Sequence, residues 1–214
     1  MSDARVIVAV PSGDMLHTSF AFSLAAAARQ TKYRLGIVNA RGSNIYRLRN
    51  KLVWTALDGN ADYVLFIDSD MSFPPHAINR VVQEADENGR DILGCNYTAR
   101  QIPHNQLVQS VDLKAGRLEL KGVCEVGRIP TGFMLIARRV FEAIGEPWFR
   151  GDMKDPGDDQ PLGEDYEFCQ RATQHGFRIW VDTDLSLQLV HWGSVGFRFS
   201  ATDPSGFDYV EVGE

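Results

Sequence analysis

The sequence predicts an α/β domain: a central mixed, mainly parallel sheet flanked by helices, with a small β-hairpin region. Three observations predict it. Arg5-Val6-Ile7-Val8-Ala9-Val10 and Tyr63-Val64-Leu65-Phe66-Ile67 are apolar runs rich in β-branched and aromatic residues, the pattern of strands buried on both faces. Segments with helical apolar spacing separate such runs, and strands alternating with helices imply parallel pairing. The second run ends in Asp68-Ser69-Asp70, and ligands of open α/β sheets sit beyond the carboxyl ends of their strands.

The elements follow in order. The first strand, Arg5 to Val10, is broken by Pro11-Ser12-Gly13-Asp14. An alanine-rich stretch, Met15 to Arg29, has strong helix propensity. Tyr33 to Val38 reads as a second strand, ending in Asn39-Ala40-Arg41-Gly42-Ser43. Asn44 suits a helix N-cap, and Ile45, Leu48, Leu52 and Ala56 recur behind it at helical spacing. Tyr63 to Ile67 is the third strand. Pro74-Pro75 opens a helix in which Ile78, Val81, Val82 and Ala85 share a face, and Ile92 to Cys95 is a fourth strand. The first hundred residues thus read as a nucleotide-binding α/β half.

The pattern changes after Tyr97. Gln106 to Leu113 and Arg117 to Val123 read as a hairpin joined by Lys114-Ala115-Gly116. Phe133 to Ala137 is a core strand, followed by a short helix from Arg138 to Ile144 that stops at Gly145. Asp152 to Gly163, rich in Gly, Pro and Asp, reads as a mobile loop that could order over a ligand. Glu164 to His175 is helical up to Gly176, and Ile179-Trp180-Val181 and Leu187 to Val190 are strands. The tail carries Phe197, Phe199, Phe207 and Tyr209, too aromatic for a solvated end; it is expected to pack on the sheet or on a partner chain.

Composition bounds the function. A chain of 214 residues with 44% hydrophobic and 23% charged residues is ordinary for a soluble globular protein. The net charge of -6 argues against a general nucleic-acid binder, although Arg41, Arg47, Arg49 and Lys51 form a local basic group. The start lacks an apolar signal-peptide core and no apolar run reaches membrane-spanning length, so a cytoplasmic protein without a membrane span is expected. Cys95, Cys124 and Cys169 fit neither a disulfide framework nor a zinc spacing; buried reduced thiols are favoured over Cys169 as a nucleophile. No P-loop, dinucleotide fingerprint or nucleophile elbow is present.

Three features could carry chemistry. Asp68-Ser69-Asp70 offers hard oxygen ligands for a divalent cation that also holds a phosphate, or else a solvated strand end. Glu164-Asp165 could be catalytic, or could merely complement a helix dipole. His191, in Val190-His191-Trp192-Gly193, could complete a Mn²⁺-type site or serve the core.

In this order, Asp-x-Asp after an apolar strand, Thr131-Gly132-Phe133-Met134-Leu135-Ile136, Gly163-Glu164-Asp165-Tyr166-Glu167-Phe168-Cys169 and His191-Trp192-Gly193 resemble the GT-A glycosyltransferases, closest to family-2-like viral and bacterial relatives that use nucleotide sugars. Arg49-Asn50 adds to the likeness, which runs from Val6 to Gly193. The resemblance implies one domain over 1–214, with a nucleotide-binding half (1–100), an acceptor and catalytic half (101–193) and the aromatic tail (194–214). It implies that Pro11, Ser12, Gly13 and Asn39 touch the nucleotide, although the family often carries an acidic residue at the position of Asn39. Arg49 would help hold the nucleotide half, with Asp68 and Ser69 near ribose and metal. Asp68, Asp70 and His191 would hold Mn²⁺ or Mg²⁺, and Thr131-Gly132 would line the sugar or acceptor pocket. Asp165 would be the general base, with Glu164 beside it. The implied donor is a UDP- or GDP-sugar and the acceptor a glycan or other hydroxyl; an oligomer is compatible with this reading.

The chemistry is coherent. A cation neutralises a diphosphate leaving group, and a positioned carboxylate takes the acceptor proton, a step worth on the order of 10²–10⁴-fold. Attack from the opposite face predicts inversion. Two alternatives compete: a haloacid-dehalogenase-like phosphatase, whose nucleophile strand Phe66-Ile67-Asp68-Ser69-Asp70 resembles, and a non-catalytic nucleotide-sugar or glycan-binding module.

Overall fold

The computed structural model describes residues 3–98, 109–110, 121–151, 163–193, 196–199 and 207–210. Its elements are β1 (Arg5–Ser12), α1 (Thr18–Gln30), β2 (Arg34–Arg41), α2 (Ile45–Asp58), β3 (Tyr63–Ile67), β4 (Met71–Ser72), α3 (Ala77–Asn88), β5 (Ile92–Gly94), β6 (Gln109–Ser110), β7 (Val123–Arg128), β8 (Phe133–Ala137), α4 (Arg138–Ile144), α5 (Glu164–Gln174), β9 (Ile179–Asp182), α6 (Thr183–Ser186), β10 (Val190–Trp192), β11 (Gly196–Phe199) and β12 (Phe207–Val210).

Among the described residues, eight strands form the main sheet in the order β2-β1-β3-β8-β5-β9-β7-β6, and β12-β11-β10-β4 form a second sheet. In the main sheet only β8 and β7 run against the others, so its direction is mainly parallel. The α/β class expected from the sequence is the class observed.

The core explains the continuous apolar runs. Val6, Val8 and Val10 of β1 join Leu65 and Ile67 of β3 in one cluster with Phe20, Ile78 and Val82. Ile7, Ala9, Val64 and Phe66 point the other way, against Leu52, Val53, Phe141, Phe149 and Phe168. Alternate side chains of one strand therefore feed two cores, one on each face of the sheet.

Local signals act as expected at several ends. The Asn44 side chain accepts the Arg47 backbone N–H at 3.1 Å and starts α2. Gly89, at φ 63°, ends α3 in the left-handed region, with its N–H on the Ala85 carbonyl. α4 and β3 match their expected bounds.

Other expectations need correction. β1 does not break at Pro11 but continues to Ser12, paired with β2 through Pro11↔Ala40. Its pairing with β3 ends at Ala9↔Phe66, so the missing proline N–H costs no ladder bond on that side. Of the expected hairpin, Gln109–Ser110 and Val123–Arg128 are strands that pair antiparallel at the edge of the main sheet, and residues 101–108 and 111–120 lie outside the described residues. The expected turn at 114–116 and the loop at 152–162 lie outside the described residues. Leu187 to Val190 is not a strand: the Asp182 carboxylate caps α6 by accepting the Leu185 N–H at 2.9 Å, and the strand starts only at Val190. The tail strands β11 and β12 extend the second sheet outward from β10. No helix among the described residues is long and apolar enough to cross a membrane.

Candidate active site

The parallel strands β2, β1 and β3 end on one edge of the sheet, and a cleft of about 280 Å³ opens there. Pro11, Ser12 and Gly13 from β1 and its exit line it, as do Asp68, Ser69, Asp70 and His191. Gly42, Ser43, Ile45 and Leu48, from the turn into α2, complete the wall. That turn was not assigned a role from the sequence. Its signal was its place after a strand parallel to β1, where the edge of an open sheet gathers its loops.

Two strand pairings assemble the site. β3 lies against β8 with Ile67 opposite Phe133, which sets Asp68 beside Gly132; the Asp68 N–H donates to the Gly132 carbonyl at 3.0 Å. A turn then closes with the Met71 N–H on the Asp68 carbonyl at 3.1 Å. Beyond it β4 pairs with β10, with His191 opposite Met71, and the Trp192 N–H donates to the Asp70 carbonyl at 2.8 Å. His191 Nε2 thereby lies 3.6 Å from Asp70 Oδ1. The other ring nitrogen, Nδ1, is 2.9 Å from the Thr98 carbonyl, which can only accept, so Nδ1 carries a proton. In neutral His191 the Nε2 lone pair then faces the Asp70 carboxylate.

The two aspartates diverge. Asp70 turns to His191, whereas Asp68 Oδ1 lies 3.4 Å from a guanidinium nitrogen of Arg49. Arg49 is buried on α2 and also binds the Glu164 carboxylate at the start of α5. Burial pulls its pKa down, but Asp68, Glu164 and Asp165 more than offset that and leave it above its ordinary value. Its guanidinium sits 5.9 Å from the centroid of the Phe149 ring. Arg49 is thus a clasp between the two halves of the site.

Asp165 sits in the first turn of α5, after Gly163, with its side chain partly buried. Burial pushes its pKa up to about 6; Arg49 pulls it down, Glu164 pushes it up, and the N–H groups of Tyr166 and Thr131 favour the charged form. Gly163 packs against it: a Cβ there would stand 2.8 Å from Asp165 Oδ1. Thr131 is fully buried, and its hydroxyl has no hydrogen-bond partner among the described residues.

The remaining sequence-predicted residues play supporting parts. Asn39 Nδ2 donates to the Val10 carbonyl at 2.8 Å and to Ser12 Oγ at 2.9 Å, so it shapes the end of β1 from outside the cleft. Asn50 Oδ1 accepts the Trp148 and Phe149 N–H groups at 2.9 and 3.1 Å, fixing that segment to α2. Tyr97 was missed. Its hydroxyl accepts the Gly132 N–H at 2.8 Å, and its ring meets His191 edge-on at 5.1 Å. A Cβ on Gly132 would come within 2.2 Å of that hydroxyl, so only glycine fits. His17, stacked on Trp192 at 4.8 Å, was also missed. Cys95 and Cys169 are buried and free as expected, and Cys124 is partly buried. Burial pushes the Cys169 thiol up to about 12, which removes it as a nucleophile near neutral pH.

The fold that gathers these groups is shared with known proteins. The family model described as glycosyltransferase like family 2 matches residues 2–191. The chain belongs to that family. This glycosyltransferase-family chain is also similar in fold to A197 from STIV, at 17% identity and a TM-score of 0.69, over 99% of this chain and 95% of that one. A second structure, S. aureus TarS 1-349 in complex with UDP-GlcNAc, is similar at 16% identity and a TM-score of 0.50, over 85% of this chain and 56% of TarS. These likenesses place the fold among GT-A structures. No curated protein matches the chain.

Proposed function

We propose that this chain moves a sugar from a nucleotide diphosphate sugar to an acceptor hydroxyl, with inversion, and that Asp165 is the general base. The observation that carries the reading is the Asp165 carboxyl, raised to about 6 at the mouth of a helix and beside the Arg49–Glu164 pair. A base is most effective when its pKa lies close to the working pH, because it is then both deprotonated and basic enough to accept. Glu164 takes part through Arg49 rather than by touching the acceptor.

Pro11, Ser12, Gly13, Ser69 and the Asp68 side form the nucleotide end of the cleft, with Asn39 bracing β1 and Arg49 holding Asp68. Thr131 and Gly132, both buried, back the sugar or acceptor side between Asp68 and Asp165. The UDP-GlcNAc held by TarS supports a UDP-sugar as the first donor to try, with GDP-sugars second.

The residues present suit a divalent cation. Among the described residues no three His, Cys, Asp or Glu side chains form one metal cluster, so the protein supplies a pair, Asp70 and His191. Imidazole and carboxylate are both Mn²⁺ ligands, and the Thr98 carbonyl fixes the His191 tautomer as outer partners of metal-bound histidines do. Asp68 stands beside the pair but faces Arg49. A bound Mn²⁺ or Mg²⁺ would neutralise the departing diphosphate.

Release of nucleoside diphosphate from a panel of UDP- and GDP-sugars, with Mn²⁺ or with chelator, tests the reading. Mn²⁺-dependent release that Asp165→Asn abolishes is the expected result. Hydrolysis of a generic phosphoester with no release from any nucleotide sugar would replace it with the phosphatase reading.

A further inference from the structure

A groove of about 990 Å³ lies on the outer side of α2, away from the donor cleft, between that helix and residues 146–151. Its walls are aromatic: Tyr46 and Trp54 on α2 face Trp148 and Phe149. Trp54 is 58% exposed, a large apolar surface left in water. The facing segment is held in place. Asn50 binds the backbone of both Trp148 and Phe149, and Arg171 donates to the carbonyls of Ile144, Gly145, Pro147 and Trp148.

The rim is cationic. Among the described residues, Arg47, Lys51 and Arg150 line the groove against a single acid, Glu146, in a chain whose net charge is -6. Helix stability does not account for this. Arg47 and Lys51 repel as a like-charged i,i+4 pair, and α2 has no acid in its first turn and no base in its last. Arg47, Lys51 and Trp54 follow one another at i, i+4 and i+7, a stripe about 10 Å long on one face.

We propose that this groove binds an acidic saccharide, the body of the acceptor chain whose hydroxyl reacts at Asp165. Sugar rings present a face of C–H groups that stacks on Trp54 and Tyr46, and their carboxylate or phosphate groups pair with Arg47, Lys51 and Arg150. The groove also adjoins the site: Phe149 forms its inner wall, and the Arg49 guanidinium that holds Glu164 lies 5.9 Å from the centroid of that ring. The acceptor role rests on the proposed transfer reaction; binding of the saccharide stands on the groove itself.

Titration of the wild-type chain with hexagalacturonate, maltohexaose and a hexathymidine oligonucleotide, followed by tryptophan fluorescence, tests this directly. Saturable binding of hexagalacturonate that weakens with salt is expected, with maltohexaose weaker. Trp54→Ala, and separately Lys51→Ala with Arg47→Ala, should each weaken it roughly tenfold or more. Both variants should retain wild-type thermal melting and release of nucleoside diphosphate by slow hydrolysis of the donor. Equal binding of the neutral and acidic hexamers, tighter binding of hexathymidine, or no effect of either variant would overturn the proposal. Saccharide binding in a chain that hydrolyses no nucleotide sugar would sink the transfer reading and leave the groove assignment standing.

Discussion

His191 Nε2 faces Asp70 Oδ1 across 3.6 Å, and the backbone pairing of β4 with β10 holds them there. The two groups should therefore act as one unit toward a divalent cation. Wild type should gain thermal stability when Mn²⁺ and a nucleoside diphosphate are added together, because ligands that bind only the folded state raise its apparent stability. His191→Ala and Asp70→Asn should each remove most of that gain, and the double variant should lose little more. Additive losses measured by calorimetry would mean the two side chains bind separately.

Asp165 gives a signed dependence on pH. As a base it must be unprotonated, so turnover should fall as pH drops through about 6. Asp165→Asn should reduce kcat by at least about 10²-fold with donor binding retained. Stability should move the opposite way. The folded carboxyl titrates higher than the unfolded one, whose ordinary value is 3.8, so ionisation costs stability as pH rises through about 6. Asp165→Asn should thus be the more stable protein above pH 6, by on the order of 1–3 kcal/mol, and should lose that advantage near pH 4. Denaturant melts at the two pH values decide it.

Arg49 neutralises carboxylates from two distant parts of the chain, Asp68 and Glu164. Arg49→Met leaves them facing each other without a cation and should cost roughly 3–5 kcal/mol in urea unfolding. Arg49→Lys should not restore it, since one ammonium cannot copy the fork that reaches both acids. Arg49 also holds the Asp165 pKa down, so whatever activity survives in Arg49→Lys should show its acidic limb at higher pH if the ammonium sits farther from Asp165.

Gly132 has no room for a side chain, because the Tyr97 hydroxyl occupies the space. Gly132→Ala should destabilise by about 1–3 kcal/mol, as overpacking of a closed site does, and lower turnover by more than the loss of folded protein explains. Thermal melting and the kcat of the folded fraction separate the two effects.

The parts of the fold that were legible from the sequence are those with a local physical cause. β3 announced itself by five apolar residues, α2 by Asn44 and its spaced leucines, and α4 by the glycine behind it. β4 could not be read: a two-residue strand has no periodicity, and Met71–Ser72 is a strand only because Val190 and His191 pair with it. The same holds for Leu187 to Val190, where the turn that follows the Asp182-capped helix α6 delays the strand to Val190. At the site, the acids and His191 were visible as separate motifs. That Arg49 lies across from Asp68 and His191 across from Asp70 was not visible, because it depends on how α2 and β10 meet the end of β3. Tyr97 carried no spacing signal, and its role arises only where β8 brings Gly132 under its hydroxyl.

The second sheet has a bearing on how the protein can fail. Pro11, Ser12 and Gly13 are carried by the large sheet, but His191 belongs to a small ladder whose outer rungs are β11 and β12. Damage to residues 207–210, by cleavage or by a competing strand, would fray that ladder from its far end toward His191. The β1 side of the cleft would be spared, since among the described residues no strand of the small sheet pairs with β1 or β2. On the proposed reading, such a chain would keep its melting transition and its grip on a nucleoside while its hold on a cation slackened, a lesion that assays of folding alone would pass as healthy.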